Sequence, residues 1–332
     1  MTASASRITV YAVLAAAITA GVLCLLGRDP SPAPLPGPHI AVAPAPQHGA
    51  RPHGTVVGTR ESAQQVADSA IEGTVGPGGR RPDLTPLPVR AFKGPIAAYR
   101  VYAAARARVM ARQVGALASA IRAGDRTAAR RDWQAAYATY MRIGAAYGAL
   151  GDLDDAIDGR DHGLHRIERG LWTGERTSAL AAPARELERD VARLPHALRT
   201  GEITPLDYAT RAHEILEDAQ RDQVSGIAPQ WSGAGVLATA ADLSATRVVI
   251  ATLRRVLAGR GDALGQSYTR MAQLGAVLRR IHRDHGDWPP LNRLTRTEHE
   301  RLTGTLGATL ETLSALPGTL EASLPPVIPR IR

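Results

Sequence analysis

Cysteine is nearly absent from this chain of 332 residues: Cys24 is the only one, and it sits inside an apolar run. The remainder of the chain therefore holds no disulfide, no thiolate nucleophile and no cysteine metal ligand. Lysine is as scarce, Lys93 standing alone among 40 basic side chains, so arginine carries the formal net charge of +9. Aromatic residues make up 4% of the chain. With so few rings, and with the arginines scattered, the pattern argues against a nucleic-acid binder. An arginine excess can also signal an anionic membrane surface or wall polymer. Runs such as Arg100, Arg106, Arg108 and Arg112, or Arg122, Arg126, Arg130 and Arg131, read more simply as solvated helix faces. No stretch alternates apolar and polar residues as a half-buried strand requires. Hydrolytic signatures are missing too. His213-Glu214 is followed by Ile215, Leu216 and Glu217, and Arg166-Ile167 separate His165 from Glu168, so neither makes the His-Glu-x-x-His of a zinc peptidase. There is no Gly-x-Ser-x-Gly and no phosphate-cradling glycine loop. No enzyme is expected, and a peptidase ranks behind the binding functions considered below.

Residues 8–26 are uncharged, follow Arg7 and precede Arg28-Asp29. Such a run can span a bilayer, and we read residues 1–28 as an uncleaved anchor ahead of a secretory signal cut near Ala20. Gly21-Val22-Leu23 puts a bulky leucine before Cys24, against lipidation. The expected location is the extracytoplasmic face of the cell envelope, membrane-anchored or secreted. Residues 29–88 are rich in Pro and Gly and read as a flexible linker, in which His39, His48 and His53 are spacers. From Pro95 onward the signals are helical, with periodic apolar stretches at residues 96–121, 126–147, 181–198, 205–224, 236–257, 264–285 and 298–316. Gly124-Asp125 reads as a helix stop followed by a cap, Thr204-Pro205 as a cap with proline in the first turn, and residues 297–300 as a capping box. Short connections imply an all-α antiparallel bundle over residues 89–320, in two four-helix-type halves, with a tail at residues 321–332.

The chemistry concentrates between Gly151 and Trp172. Asp152, Asp154, Asp155, Asp158, Asp161, His162, His165 and Glu168 fall there, with Arg160 and Arg166 among them. On a helix His165 and Glu168 share a face, as do Asp154 and Asp158. One imidazole with converging carboxylates suits a transition metal held by mixed nitrogen and oxygen donors. The competing reading is an arginine–carboxylate network around Arg160 and Arg166. Gly159 and Gly163 predict a break that lets Asp158 turn inward from its own element.

A longer string sharpens this. Tyr140-Met141-Arg142-Ile143, Asp152-Leu153-Asp154-Asp155-Ala156-Ile157-Asp158-Gly159-Arg160 and Gly163-Leu164-His165-Arg166-Ile167-Glu168-Arg169-Gly170-Leu171-Trp172 resemble the imelysin-like family. The branch is the extracytoplasmic iron-uptake proteins of the EfeO/EfeM type, with patterns like Y-x-R-I-E-P, D-L-D-x-x-I-D-x-R and G-F-H-R-L-E-K-A-L-W. Residues 120–125 and 224–226 also fit, and the similarity spans about residues 87–257. No cupredoxin-like domain precedes the helical one, so the likeness is to the shorter EfeM type. The resemblance implies a helical bundle that binds ferric or ferrous iron, or otherwise another divalent metal, and hands it to a membrane iron permease beside a peroxidase-type partner. It carries metal ligands over to Asp158, His165 and Glu168, with Glu217 a weaker candidate. Met141 and Gly144 stand where the family has glutamates, and residues 227–235 depart from its S-H-T-D-like stretch. A membrane-tethered helical accessory protein with a vestigial metal site is therefore the alternative.

Overall fold

A computed structural model describes residues 85–323. The apolar run at residues 8–26 and the Pro-rich residues up to 84 lie outside the described residues. Apolar positions three and four apart build the first long helix, α1 (Lys93–Ala123), which buries Tyr99, Ala103, Ala107, Met110, Val114, Leu117 and Ile121. It stops at Gly124, whose φ of 77° is the left-handed conformation glycine adopts without a Cβ penalty. Asp125 then caps α2 (Arg126–Met141), its side chain accepting from the Ala128 N–H at 2.9 Å. Removing that acceptor exposes an orphan N–H. Asp125→Ala is expected to cost about 1 kcal/mol and, in a domain of this size, to lower Tm by roughly 3 °C. An unchanged melt by circular dichroism would show that the cap contributes nothing.

The sequence periodicity carries α2 to residue 147, but the helix ends at Met141 and a 3-10 turn, Gly144–Ala149, follows. Tyr99 fixes that turn: its buried hydroxyl donates to the Ile143 carbonyl at 2.8 Å and accepts from the Ala145 N–H at 3.0 Å. Two short helices come next, α3 (Asp152–Asp158) and α4 (Gly163–Thr173). The break between them requires glycine. At Gly163 φ is 45° and an added Cβ would lie 2.0 Å from the Ile157 carbonyl oxygen.

Five long helices follow, α5 (Ala181–Thr200), α6 (Pro205–Asp218), α7 (Gly235–Leu257), α8 (Ala263–His285) and α9 (Arg296–Ser314), and then a single helical turn, Leu316–Thr319. The expected cap at Thr204 is present and accepts from the Asp207 N–H at 3.1 Å. The expected capping box is displaced. Glu298 returns to the Thr295 N–H at 2.8 Å, so Thr295 rather than Thr297 is the cap. Helices α1, α2, α4 and α5 pack as one ring and α6, α7, α8 and α9 as a second, with α7 laid against α1 and α2. The fold is thus all-α in two four-helix groups. Helix α7 is long and apolar enough to cross a bilayer, with mean hydropathy 1.5, yet 61% of that stretch is buried in the bundle. It is the shared core helix of the two rings. The ends of the described chain meet in a two-residue parallel pairing, Leu87–Pro88 with Ala322–Ser323. Buried Arg260 holds them there, donating to the Thr85 and Thr319 carbonyls at 2.8 Å each.

Candidate functional site

Helix α4 enters the core through Leu164, Ile167 and Leu171, all fully buried. That anchoring turns its other inward positions, His165 and Glu168, toward the seam between the rings. Glu168 is 0% exposed, and both of its oxygens are occupied. Oε2 accepts from His165 Nδ1 at 3.0 Å, while Oε1 accepts from the Trp231 N–H at 3.1 Å, the Ser232 N–H at 2.7 Å and the Ser232 hydroxyl at 2.7 Å. The loop leading into α7 is therefore hung on this one carboxylate.

A carboxylate can only accept, so Nδ1 carries the proton in that bond, and the lone pair of a neutral His165 is left on Nε2. Nε2 lies 3.4 Å from Oδ1 of Asp158, the last residue of α3. Tyr137 packs edge-on to the imidazole with ring centroids 5.6 Å apart, and itself stacks on Trp133 at 4.9 Å. Trp133 closes the chain of support by donating to the Leu164 carbonyl at 2.8 Å. The ring is thus held by packing and by Glu168, with Nε2 aimed outward.

Asp158 Oδ1 is buried and has no hydrogen-bond partner. Burial raises the Asp158 carboxyl to about 7, against a partly compensating effect of His165. For His165 burial works the other way, but Asp158 and Glu168 outweigh it and its pKa is raised. Asp158 therefore exchanges its proton near neutrality, while His165 holds its proton more tightly than an ordinary imidazole. They open onto a cleft of about 580 Å³, also lined by Arg160, Asp161, Asp222, Ser225, Gln230 and Trp231.

Asp158, His165 and Glu168 come together, but Glu217 does not. It lies on α6 with its side chain 56% exposed, 3.6 Å from His213 Nε2 on its own helix. The buried face of α6 is Tyr208, Ala209, Ala212, Ile215 and Leu216, which leaves Glu217 outside. Past Asp218 the chain makes a π-helical turn, Ala219–Gln223, and it is Asp222 from this turn that reaches the cleft. Its carboxylate is gripped by Arg221 at 2.6 and 3.1 Å. Sequence reasoning missed Asp222 and also Ser232, which sits in the stretch read as a departure from the family. A serine there with backbone N–H groups beside it is the only signal that could have marked Ser232.

Behind the cleft, the positions expected to be acidic are filled otherwise. The Met141 sulfur accepts from Gln223 Nε2 at 3.4 Å, and the same amide donates to Asp242. Asp242 is 3% exposed, and burial raises its pKa well above the carboxylate range. At Gly144 the space a Cβ would use is bordered by Ile215 side-chain carbons at 3.3 to 3.6 Å. Among the described residues no group of three or more His, Cys, Asp or Glu side chains is arranged to hold a metal ion. Of the four ligand candidates read from the sequence, His165 and Asp158 line the cleft.

A family model described as imelysin (Peptidase_M75) matches residues 95–315. Among curated proteins, the iron uptake system component EfeM of Bacillus subtilis (strain 168) is 22% identical over 191 residues, covering 54% of this chain and 50% of its own length. The iron uptake system component EfeO of Yersinia pseudotuberculosis is 24% identical over 243 residues, 69% of this chain and 65% of the relative. The EfeO of Escherichia coli (strain K12) is 23% identical over 240 residues, 68% and 64% respectively. The chain thus spans between half and two thirds of the length of these relatives.

Proposed function

This chain belongs to the imelysin family, and we propose that it serves iron uptake at the cell envelope as a binding protein rather than an enzyme. Iron is its cargo, taken up at His165 Nε2 and Asp158 and passed to a membrane permease of the same system, beside a peroxidase-type partner. The proposed organisation is an anchor or signal at residues 1–28, a spacer at residues 29–88, the helical domain at residues 89–320 and a short tail. The observation that carries this reading is the approach of Nε2 to within 3.4 Å of a buried carboxylate oxygen that accepts no hydrogen bond. Two donors each about 2.1 Å from a cation and at right angles lie roughly 3 Å apart. A buried carboxylate oxygen without a hydrogen bond is costly unless a cation compensates it. Glu168 acts behind the site, fixing the tautomer and the ring orientation, as carboxylates commonly do for metal-bound histidines. Glu217 takes no part.

The experiment is equilibrium binding of ferrous iron, without oxygen, to the intact protein. Loss of a supporting carboxylate typically costs 10- to 100-fold in affinity, so His165→Ala should lose about a hundredfold or more. Glu217→Ala should bind as wild type. Equal binding by wild type and His165→Ala would sink the cargo site. It would leave the second reading, a tethered accessory protein with a vestigial site, which Met141 beside Gln223 and Ile215 against Gly144 favour.

A further inference from the structure

The cleft is far larger than an ion needs, and the arginines on the neighbouring segments are not equivalent. Around it, Arg166 makes a two-point pair with Glu175 at 2.7 and 2.9 Å. Arg169 reaches Asp161 at 3.2 Å and lies over Trp231 at 6.0 Å. Arg221 grips Asp218 and Asp222. Arg160, two residues after Asp158, is the arginine that lines the cleft itself, yet it makes no hydrogen bond, ion pair or ring contact among the described residues. A guanidinium presents a planar fork of donors suited to a carboxylate.

The supply of metal donors is equally telling. Asp222 is held by Arg221, Asp161 by Arg169, and the Ser225 hydroxyl donates to the Arg221 carbonyl. Glu168 is saturated from behind. Of the imidazole and carboxylate donors only His165 Nε2 and Asp158 remain, with the Gln230 amide oxygen as a neutral donor on the cleft wall, whereas a hard cation in octahedral surroundings takes about six donors. About three must come from elsewhere, in a space of about 580 Å³, where a water molecule occupies only about 30 Å³. A bare cation entering beside Arg160 would also be repelled by it. A metal that arrives already wrapped in a negatively charged chelator meets both conditions.

Resting on the iron-binding reading, we propose that the cleft takes its metal as a ternary complex with a small polycarboxylate. His165 and Asp158 bind the metal and Arg160 binds a free carboxylate of the chelator. Trp231 on the cleft wall and Ile227, 57% exposed on its rim, offer the chelator an apolar edge.

The proposal fixes the sign of a simple experiment. Ferrous iron and radiolabelled citrate are dialysed without oxygen against the full-length protein, together and separately. At a site for the bare ion citrate is only a competitor, and added citrate strips iron from the protein. At a ternary site citrate raises iron retention, by tenfold or more, and is itself retained in equal amount. Citrate without iron should not be retained. Arg160→Gln should abolish the gain from citrate and leave binding of iron alone unchanged or slightly tighter. Iron bound alone but lost on adding citrate would overturn the ternary complex and leave the cargo site intact. Iron bound neither alone nor with citrate would overturn both. An Arg160→Gln protein that keeps the full gain would overturn the role given to Arg160.

Discussion

Replacing Glu168 with alanine is expected to be the most damaging single change in the domain. The variant leaves the Trp231 and Ser232 N–H groups without their acceptor at a 0% exposed position and opens a void behind His165. Losing one partner from a buried charged network costs roughly 3 to 5 kcal/mol, and at about 3 °C per kcal/mol Tm should fall by on the order of 10 °C. Glu168→Gln separates stability from function. Its carbonyl oxygen still accepts from the Trp231–Ser232 loop, so the expected cost is only about 1 to 2 kcal/mol. Its amide, however, donates toward His165 Nδ1. That reverses the tautomer, puts the proton on Nε2 and closes the lone pair that faces Asp158. Glu168→Gln should therefore melt near wild type and bind iron poorly. Calorimetry with iron titration reads both quantities. A glutamine variant that melts as low as the alanine one would disprove the hydrogen-bond accounting, and one that binds iron normally would disprove the orienting role.

Much of this was legible in the sequence because it is local. The stop at Gly124, the cap at Asp125 and the break at Gly163 are decided within a few residues, and each stands where the chain signals it. The i, i+3 spacing of His165 and Glu168 likewise placed both on one buried face. What the sequence concealed depends on distant packing or on a change of helical phase. Residue 217 was carried over from the family resemblance, but its own helix spends its buried face on Ile215 and Leu216. The π turn at Ala219–Gln223 then shifts the phase, so that Asp222 reaches the cleft. Nothing around residue 168 announces that its other oxygen is taken by a loop more than sixty residues away. Nor does the apolar periodicity of α2 reveal that a tyrosine from α1 ends it at Met141. The site is half local and half tertiary, and only the local half could be read in advance.

Stability and cargo binding should respond to pH in opposite directions, which makes the proton a direct reporter on the site. The Asp158 carboxyl stands at about 7 in the folded protein because of burial, above its ordinary value of 3.8. A raised carboxyl binds protons more tightly folded than unfolded, so its contribution is fully present below the unfolded value and is lost as pH rises through the folded one. His165 is also raised, and its contribution disappears with rising pH in the same way. Asp242, raised well above its ordinary value by burial, adds to the same slope. Without iron, the protein should lose roughly 2 kcal/mol from Asp158 alone between pH 5 and pH 8, or on the order of 5 °C in Tm. Iron affinity should climb over that interval, because the protons leaving Asp158 and His165 are those the metal displaces. Two substitutions divide the effect. Asp158→Asn should flatten the stability slope and weaken iron binding together. Asp242→Asn should flatten the slope and leave iron binding alone, since Asp242 is turned to Gln223 rather than to the cleft. Melting and iron titration of the three proteins at pH 5, 6.5 and 8 would test this. A wild-type Tm that stays level or rises toward pH 8 would mean that Asp158 is not held protonated by burial, and the opposition of the two slopes would vanish with it.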